Sequence, residues 1–248
     1  MIIFVFIIGL LVGSFFNVVI SRLDREGGIL MGRSHCPKCK SQLAWHDLIP
    51  LLSYLLLRGR CRNCKESISP IYPVVELTTA IILVLFYLKI GLPLDIGSSY
   101  YLIILSFFIL IIFFDYLYYV IPDKLVLPLI VYSLIYSYLF RRPELFNLLT
   151  SGLALGGFFA ILYVVSHGKW IGLGDAKLSL LIGLVLGYPL GALAVVFSIW
   201  IAALVGMVLI IMRRASLKSE LPFGSFLSII SIIFIIFQNE LQILNTFF

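Results

Sequence analysis

The chain has 248 residues, of which 62% are hydrophobic and 12% charged, with a formal net charge of +6 and a mean hydropathy of +1.13. Soluble domains carry about a quarter charged residues, so this composition excludes a water-soluble globular protein and describes a polytopic membrane protein. The long apolar runs exclude a barrel, whose strands would be shorter and alternate in polarity, and the expected fold is all-α.

Apolar stretches separated by charged residues or by Pro and Gly run over residues 1–20, 73–88, 99–115, 124–140, 147–165, 176–187, 190–212 and 222–237, which predicts about eight transmembrane helices. The first has no basic residue before it and no small-residue cleavage site after it, so it reads as a retained helix and not as a signal peptide. Within it, Gly9 and Gly13 have the GxxxG spacing of close helix packing, and Asn17 adds one polar contact. Residues 21–72 differ in kind: they hold all four cysteines and nine of the eighteen Lys and Arg residues, with no apolar run long enough to span. The sixth stretch, about a dozen residues, is shorter than the roughly 20 a perpendicular span needs, which requires a thinned bilayer or extension through the turn at residues 172–175.

With residues 21–72 in the cytoplasm, Arg22, Arg25, Arg33, Lys38, Lys40, Arg58, Arg60, Arg62, Lys65, Lys124, Lys169, Lys177, Arg213, Arg214 and Lys218 fall inside, and only Lys89, Arg141 and Arg142 fall outside. By the positive-inside rule both termini face out and the cysteine segment faces the cytoplasm. The positive charge then reports topology and contact with an anionic lipid bilayer, and nucleic acid is not an expected partner.

Cys36-Pro37-Lys38-Cys39 and Cys61-Arg62-Asn63-Cys64 form two CxxC pairs with 21 residues between them, one more than the usual zinc-ribbon gap. Two such knuckles suit tetrahedral thiolate coordination of Zn²⁺, and a small segment with little core of its own needs that staple. A disulfide is disfavoured in the reducing cytoplasm, and four thiolates leave no open position for metal catalysis. His35 adjoins Cys36, but the four cysteines already complete the set; His46 and His167 read as interfacial.

Asp115 and Asp175 are acids bordering apolar sequence, functional candidates by that fact. In the predicted topology the third helix runs inward to end at Asp115 and the sixth starts inward just after Asp175, which puts both at one cytoplasmic depth. Each also has a plain reading as a helix-end residue. What favours chemistry is Gly172-Leu173-Gly174 before Asp175: two glycines remove bulk, so an extended peptide can approach the carboxylate. Paired carboxylates share one proton, leaving a base to activate water and an acid to polarise a carbonyl.

Gly172-x-Gly174-Asp175 with an upstream membrane aspartate resembles the GxGD intramembrane aspartyl proteases. Gly9-x-x-x-Gly13-Ser14-Phe15-x-Asn17-Val18, Asp47-Leu48-Ile49-Pro50, Tyr72-Pro73-x-x-Glu76, Asp115 followed by Ile121-Pro122-Asp123, and Gly172-x-Gly174-Asp175-x-Lys177-Leu178 narrow this to the bacterial prepilin peptidases, also called type IV leader peptidases. The resemblance implies that Asp115 and Asp175 are the catalytic pair, with Asp123 a motif residue at a helix start. It implies a home in the bacterial cytoplasmic membrane, prepilin or pseudopilin substrates cleaved after a basic leader, and N-methylation of the new terminus with S-adenosylmethionine as methyl donor. Asp47, Gly59 and Glu76 are the candidate donor-binding residues, although the chain has no ordinary nucleotide-binding fingerprint. The organisation expected is residues 1–20 as the first helix, 21–72 as a zinc-stapled insertion to which the resemblance assigns methyl transfer, and 73–248 as the protease domain. The competing readings are a GxGD protease for another leader that does not methylate, a proton-coupled transporter, and a non-enzymatic scaffold.

Overall fold

The computed structural model describes residues 1–23, 34–91, 95–216 and 219–241; Arg25, Arg33 and Lys218, placed inside above, lie outside the described residues. The helices are α1 (Ile2–Arg22), the short α2 (Leu52–Leu56), α3 (Ile71–Ile90), α4 (Ile96–Tyr118), α5 (Asp123–Phe140), α6 (Leu145–Ser166), α7 (Leu173–Leu186), α8 (Leu190–Ile211), α9 (Phe223–Ile236) and the turn α10 (Gln238–Leu241). Each of the eight apolar stretches is a helix, and the described residues contain no strand, only isolated bridges. Gly91 and Gly187 end α3 and α7 at positive φ, while Pro122, Pro189 and Pro222 precede α5, α8 and α9.

Among the described residues, six helices are long and apolar enough to cross a membrane. The other two, α7 and α9, have 14 residues each and extend only about 21 Å. For α7 the shortness has a physical reason: from Ala176 to Leu186 it is buried almost throughout, so it is fitted to protein neighbours and not to lipid thickness.

The chain divides into two compact units, residues 1–95 and 96–248. In the first, α1 packs on α3 at backbone distance: a Cβ on Gly9 would lie 2.5 Å from Ala80 Cα, and one on Gly13 would lie 2.6 Å from Glu76 Cα. Asn17 Nδ2 donates to the Tyr72 carbonyl at 3.1 Å, a polar contact beside the glycine-mediated packing. Because these glycines fasten α3 to α1, the structural boundary falls after Asp95 and not before residue 73.

In the second unit α7 is central, packed by α5, α6, α8 and α9, and α4 packs on α9. The α6–α7 contact also rests on glycine, since a Cβ on Gly183 would fall 2.5 Å from Gly152 Cα. At the far end of α7, Arg141 Nη1 donates to the Val185 carbonyl at 3.0 Å and satisfies a helix-end acceptor.

Candidate active site and metal centre

Four helix ends meet around Asp115 and Asp175: the end of α4 and the starts of α5, α7 and α9. Asp115, in the last turn of α4, is only 4% exposed. Its Oδ2 accepts the Ser225 backbone N–H at 2.6 Å and faces the Ser225 hydroxyl at 3.0 Å; that hydroxyl also lies 2.9 Å from the Ile112 carbonyl. Asp175, in the first turn of α7, is half-buried and accepts the Gly172 N–H at 3.2 Å. The two carboxylates interact electrostatically across the cluster. The starts of α7 and α9 bring partial positive charge to the pair, which favours retaining a negative charge there.

Ile121 holds the helix ends in register. A Cβ on Gly174 would be 2.9 Å from Ile121 Cβ, and one on Gly224 would be 2.6 Å from Ile121 Cδ1 and 3.2 Å from Asp115 Cγ. Gly174 thus makes room for Ile121, whereas Gly172 is exposed, with its own loop as nearest neighbour. Asp123, at the start of α5, pairs with Lys177 Nζ at 2.6 Å on the exposed side. Ser225 carries no signal in the sequence, since a serine near a helix start is ordinary; Ile121 stood within the Ile121-Pro122-Asp123 motif, but its place between the helix ends was not apparent there.

In the first unit the four cysteine sulfurs lie within 4.8 Å of one another, with Cys36 and Cys61 buried and Cys39 and Cys64 exposed. Zn–S bonds of about 2.3 Å in a tetrahedron separate sulfurs by about 3.8 Å, and Cys36 Sγ is 3.8 Å from Cys64 Sγ. The donor set therefore fits a structural zinc ion.

The two knuckles are the same turn built twice. Cys36 N–H donates to Ser41 O, Lys40 N–H to Cys36 O and Leu43 N–H to Ser34 O; Cys61 to Glu66, Lys65 to Cys61 and Ile68 to Gly59 repeat the pattern. Lys40 and Lys65, each just after the second cysteine, both take positive φ. This repeat was legible by aligning residues 34–43 with 59–68. The Ser41 hydroxyl and N–H hold the Cys39 thiol down, to about 6, and the backbone N–H groups of Cys64 and Asn63 lower Cys61, whereas Cys64, despite the Glu66 N–H, is pushed up to about 11 by burial and by the neighbouring cysteines.

Beside the knuckles is a cavity of about 420 Å³, walled by the last turns of α1, the first turns of α3 and residues 34–69. That volume is in the range of small-molecule sites, about 300–1,000 Å³. Asp47 and Glu76 both line it, together with Ser14, Asn17 and Tyr54. Asp47 is ion-paired with Arg62 at 2.8 Å; Glu76 is buried and accepts the Leu51 N–H on Oε2 at 2.9 Å. Gly59 is not in the wall: it stands behind Tyr54, whose ring would be 3.0 Å from a Cβ there.

Residues 7–90 match the Bacterial Peptidase A24 N-terminal domain and residues 102–211 the Type IV leader peptidase family. The chain is similar to the prepilin leader peptidase/N-methyltransferase of Bacillus subtilis, 31% identical over 88% of this chain and 87% of the relative. Proteins of the same name from Klebsiella pneumoniae and Pseudomonas aeruginosa are 36% and 30% identical, covering 75% and 95% of this chain and 85% and 90% of theirs. No solved structure matches. Membrane-length helices, a four-cysteine insertion and similarity to these relatives over most of both chains together make the chain a member of the bacterial prepilin peptidase family, the type IV leader peptidases.

Proposed function

We propose that this enzyme removes the basic leader from membrane-inserted prepilin-like precursors at the cytoplasmic face of the inner membrane and methylates the terminus it exposes. The observation that carries the reading is the convergence of Asp115 and Asp175 at the ends of α4 and α7, one clamped by Ser225 and the other at an open glycine turn. Asp115, whose Oδ2 accepts the Ser225 N–H and lies within reach of the Ser225 hydroxyl, is the ionised member and draws the proton from water. Asp175, with one donor and greater exposure, carries the shared proton and polarises the scissile carbonyl. The hydroxide equivalent adds to the carbonyl carbon. Collapse of the tetrahedral adduct breaks the C–N bond as the carboxyl that gained the proton returns it to the leaving amine. Gly172 lets the substrate backbone lie extended beside Asp175.

Cys36, Cys39, Cys61 and Cys64 hold Zn²⁺ as a structural staple. The adjoining cavity takes the methyl donor, with Asp47 and Glu76 in its wall, and Gly59 supports it from behind through Tyr54. S-adenosylmethionine, when bound there, supplies the methyl group. Glu76 faces the cavity as a buried carboxylate that can take the proton a substrate ammonium must lose before it is nucleophilic.

The test is incubation of the purified enzyme with a synthetic prepilin, with and without S-adenosylmethionine, followed by mass analysis. A product shortened by the leader, and one methyl heavier only when the donor is present, is expected. An uncut substrate would overturn the reading; a cut but never methylated product would restrict it to the peptidase.

A further inference from the structure

The segment between the two zinc knuckles carries an apolar face that zinc binding does not use. Trp45, Leu48, Ile49, Leu52, Leu55 and Leu56 are all exposed, Trp45 by 78% and Leu56 by 82%. They lie on one short stretch made of a 3₁₀ turn (Trp45–Leu48) and α2. Its one acid, Asp47, is turned inward onto Arg62, and His46 is the exposed polar residue beside Trp45. A patch this apolar is not left to water in a module otherwise rich in charge.

Its depth indicates what covers it. The Leu51 N–H, at the centre of the stretch, donates to Glu76 Oε2. Glu76 is five residues into α3, about 7.5 Å below its start. On the antiparallel helix, Gly13 lies against Glu76 and is nine residues, about 13 Å, below Arg22 at the end of α1. Glutamate leans back toward its helix start, so Leu51 sits beside the first turns of α3 and not out beyond them. The cavity reaches the same depth, with walls from Ser14 to Tyr54 and Leu57. The stretch is therefore folded back alongside two membrane-length helices. Exposed Arg58, Arg60 and Lys65 follow it directly and complement anionic headgroups.

We propose that Trp45–Leu56 is an interfacial anchor, buried in the headgroup–acyl boundary of the leaflet where α1 ends and α3 begins. Interfacial helices of this kind lie about 5–10 Å into the headgroup–acyl boundary, a layer that a stretch beside the first turns of α3 can reach. The anchor brings the cavity level with the membrane surface, so a chain terminus leaving the bilayer reaches it without passing through water. The claim stands apart from the catalytic reading.

Trp45 is its own reporter. With Trp170→Phe and Trp200→Phe it is the only tryptophan, and the intact chain is placed in nanodiscs of phosphatidylcholine and phosphatidylglycerol. Lipids brominated near the headgroup end of the acyl chain are expected to cut Trp45 emission at least about twofold, with aqueous iodide having little effect, as befits an interfacial depth. Absence of bromolipid quenching overturns the proposal in either form: with iodide access the stretch is in water, and without it the stretch is covered by protein. Photoactivatable phospholipid applied to the unmodified protein gives a second reading. Labelling of the peptide containing residues 45–57 is expected, and its absence counts equally against the anchor.

Discussion

Gly224→Ala tests whether Ile121 sets the spacing of the acidic cluster. The added carbon would stand 2.6 Å from Ile121 Cδ1, 2.9 Å from Cγ1 and 3.2 Å from Asp115 Cγ. Carbon atoms pack at about 3.5–4.0 Å, so Ile121 must retreat by about 1 Å or Asp115 must shift. Overpacking of this kind costs about 1–3 kcal/mol, and a displacement of about 1 Å at reacting groups can lower the rate about 100-fold. Ile121→Ala alone removes the clashing carbons but opens a cavity, at a cost of about 2–5 kcal/mol. In the double variant the new methyl occupies part of that cavity, so the two costs should fall short of their sum by about 1–2 kcal/mol. Thermal unfolding in detergent gives the coupling, and initial rates of leader cleavage give the displacement. Strictly additive stabilities together with wild-type cleavage by Gly224→Ala would refute the spacing argument.

Ser225→Ala keeps the N–H on Asp115 but removes a hydroxyl contact to a charged group, worth about 1.5–3 kcal/mol. We expect kcat to fall roughly 10- to 100-fold with KM little changed, measured on a soluble prepilin peptide; an unchanged kcat would remove Ser225 from the site. Cys36→Ser should bring bound zinc well below one equivalent, expose residues 34–68 to hydrogen exchange and abolish methyl transfer while leader cleavage persists, because the acids lie in the other compact unit. Gly13→Ala should destabilise by about 1–3 kcal/mol, because its Cβ meets the α3 backbone. Gly157→Ala, with nothing within 4 Å, should stay within about 0.5 kcal/mol of wild type in the same unfolding assay.

The eight helices were legible because each apolar run stops at Gly, Pro or charge, and in a membrane the backbone inside such a run has no alternative to helix. The GxxxG of Gly9 and Gly13 announced close packing but not its partner; that α3 receives it emerges only when Glu76 and Ala80 are seen opposite. Hence the boundary drawn before residue 73 separated two helices that the structure joins. The acids at positions 115 and 175 stood out because charge is scarce around them. Ser225 did not, since its importance comes from a contact across 110 residues of chain. Gly174 illustrates a different limit: from sequence it read as access for a substrate, and in space it accommodates Ile121, two demands that both select glycine. Asp47 and Glu76 share one cavity, which their motifs alone did not reveal.

The central claim is that Asp115 and Asp175 together perform the hydrolysis. The most direct measurement is cleavage of a synthetic prepilin by Asp115→Asn, Asp175→Asn and Asp123→Asn, compared with wild type by mass analysis in one lipid preparation. The account predicts no detectable product from the first two and substantial product from the third, whose ion pair with Lys177 is partly exposed and worth at most about 1 kcal/mol. Full cleavage by Asp115→Asn or Asp175→Asn would contradict it.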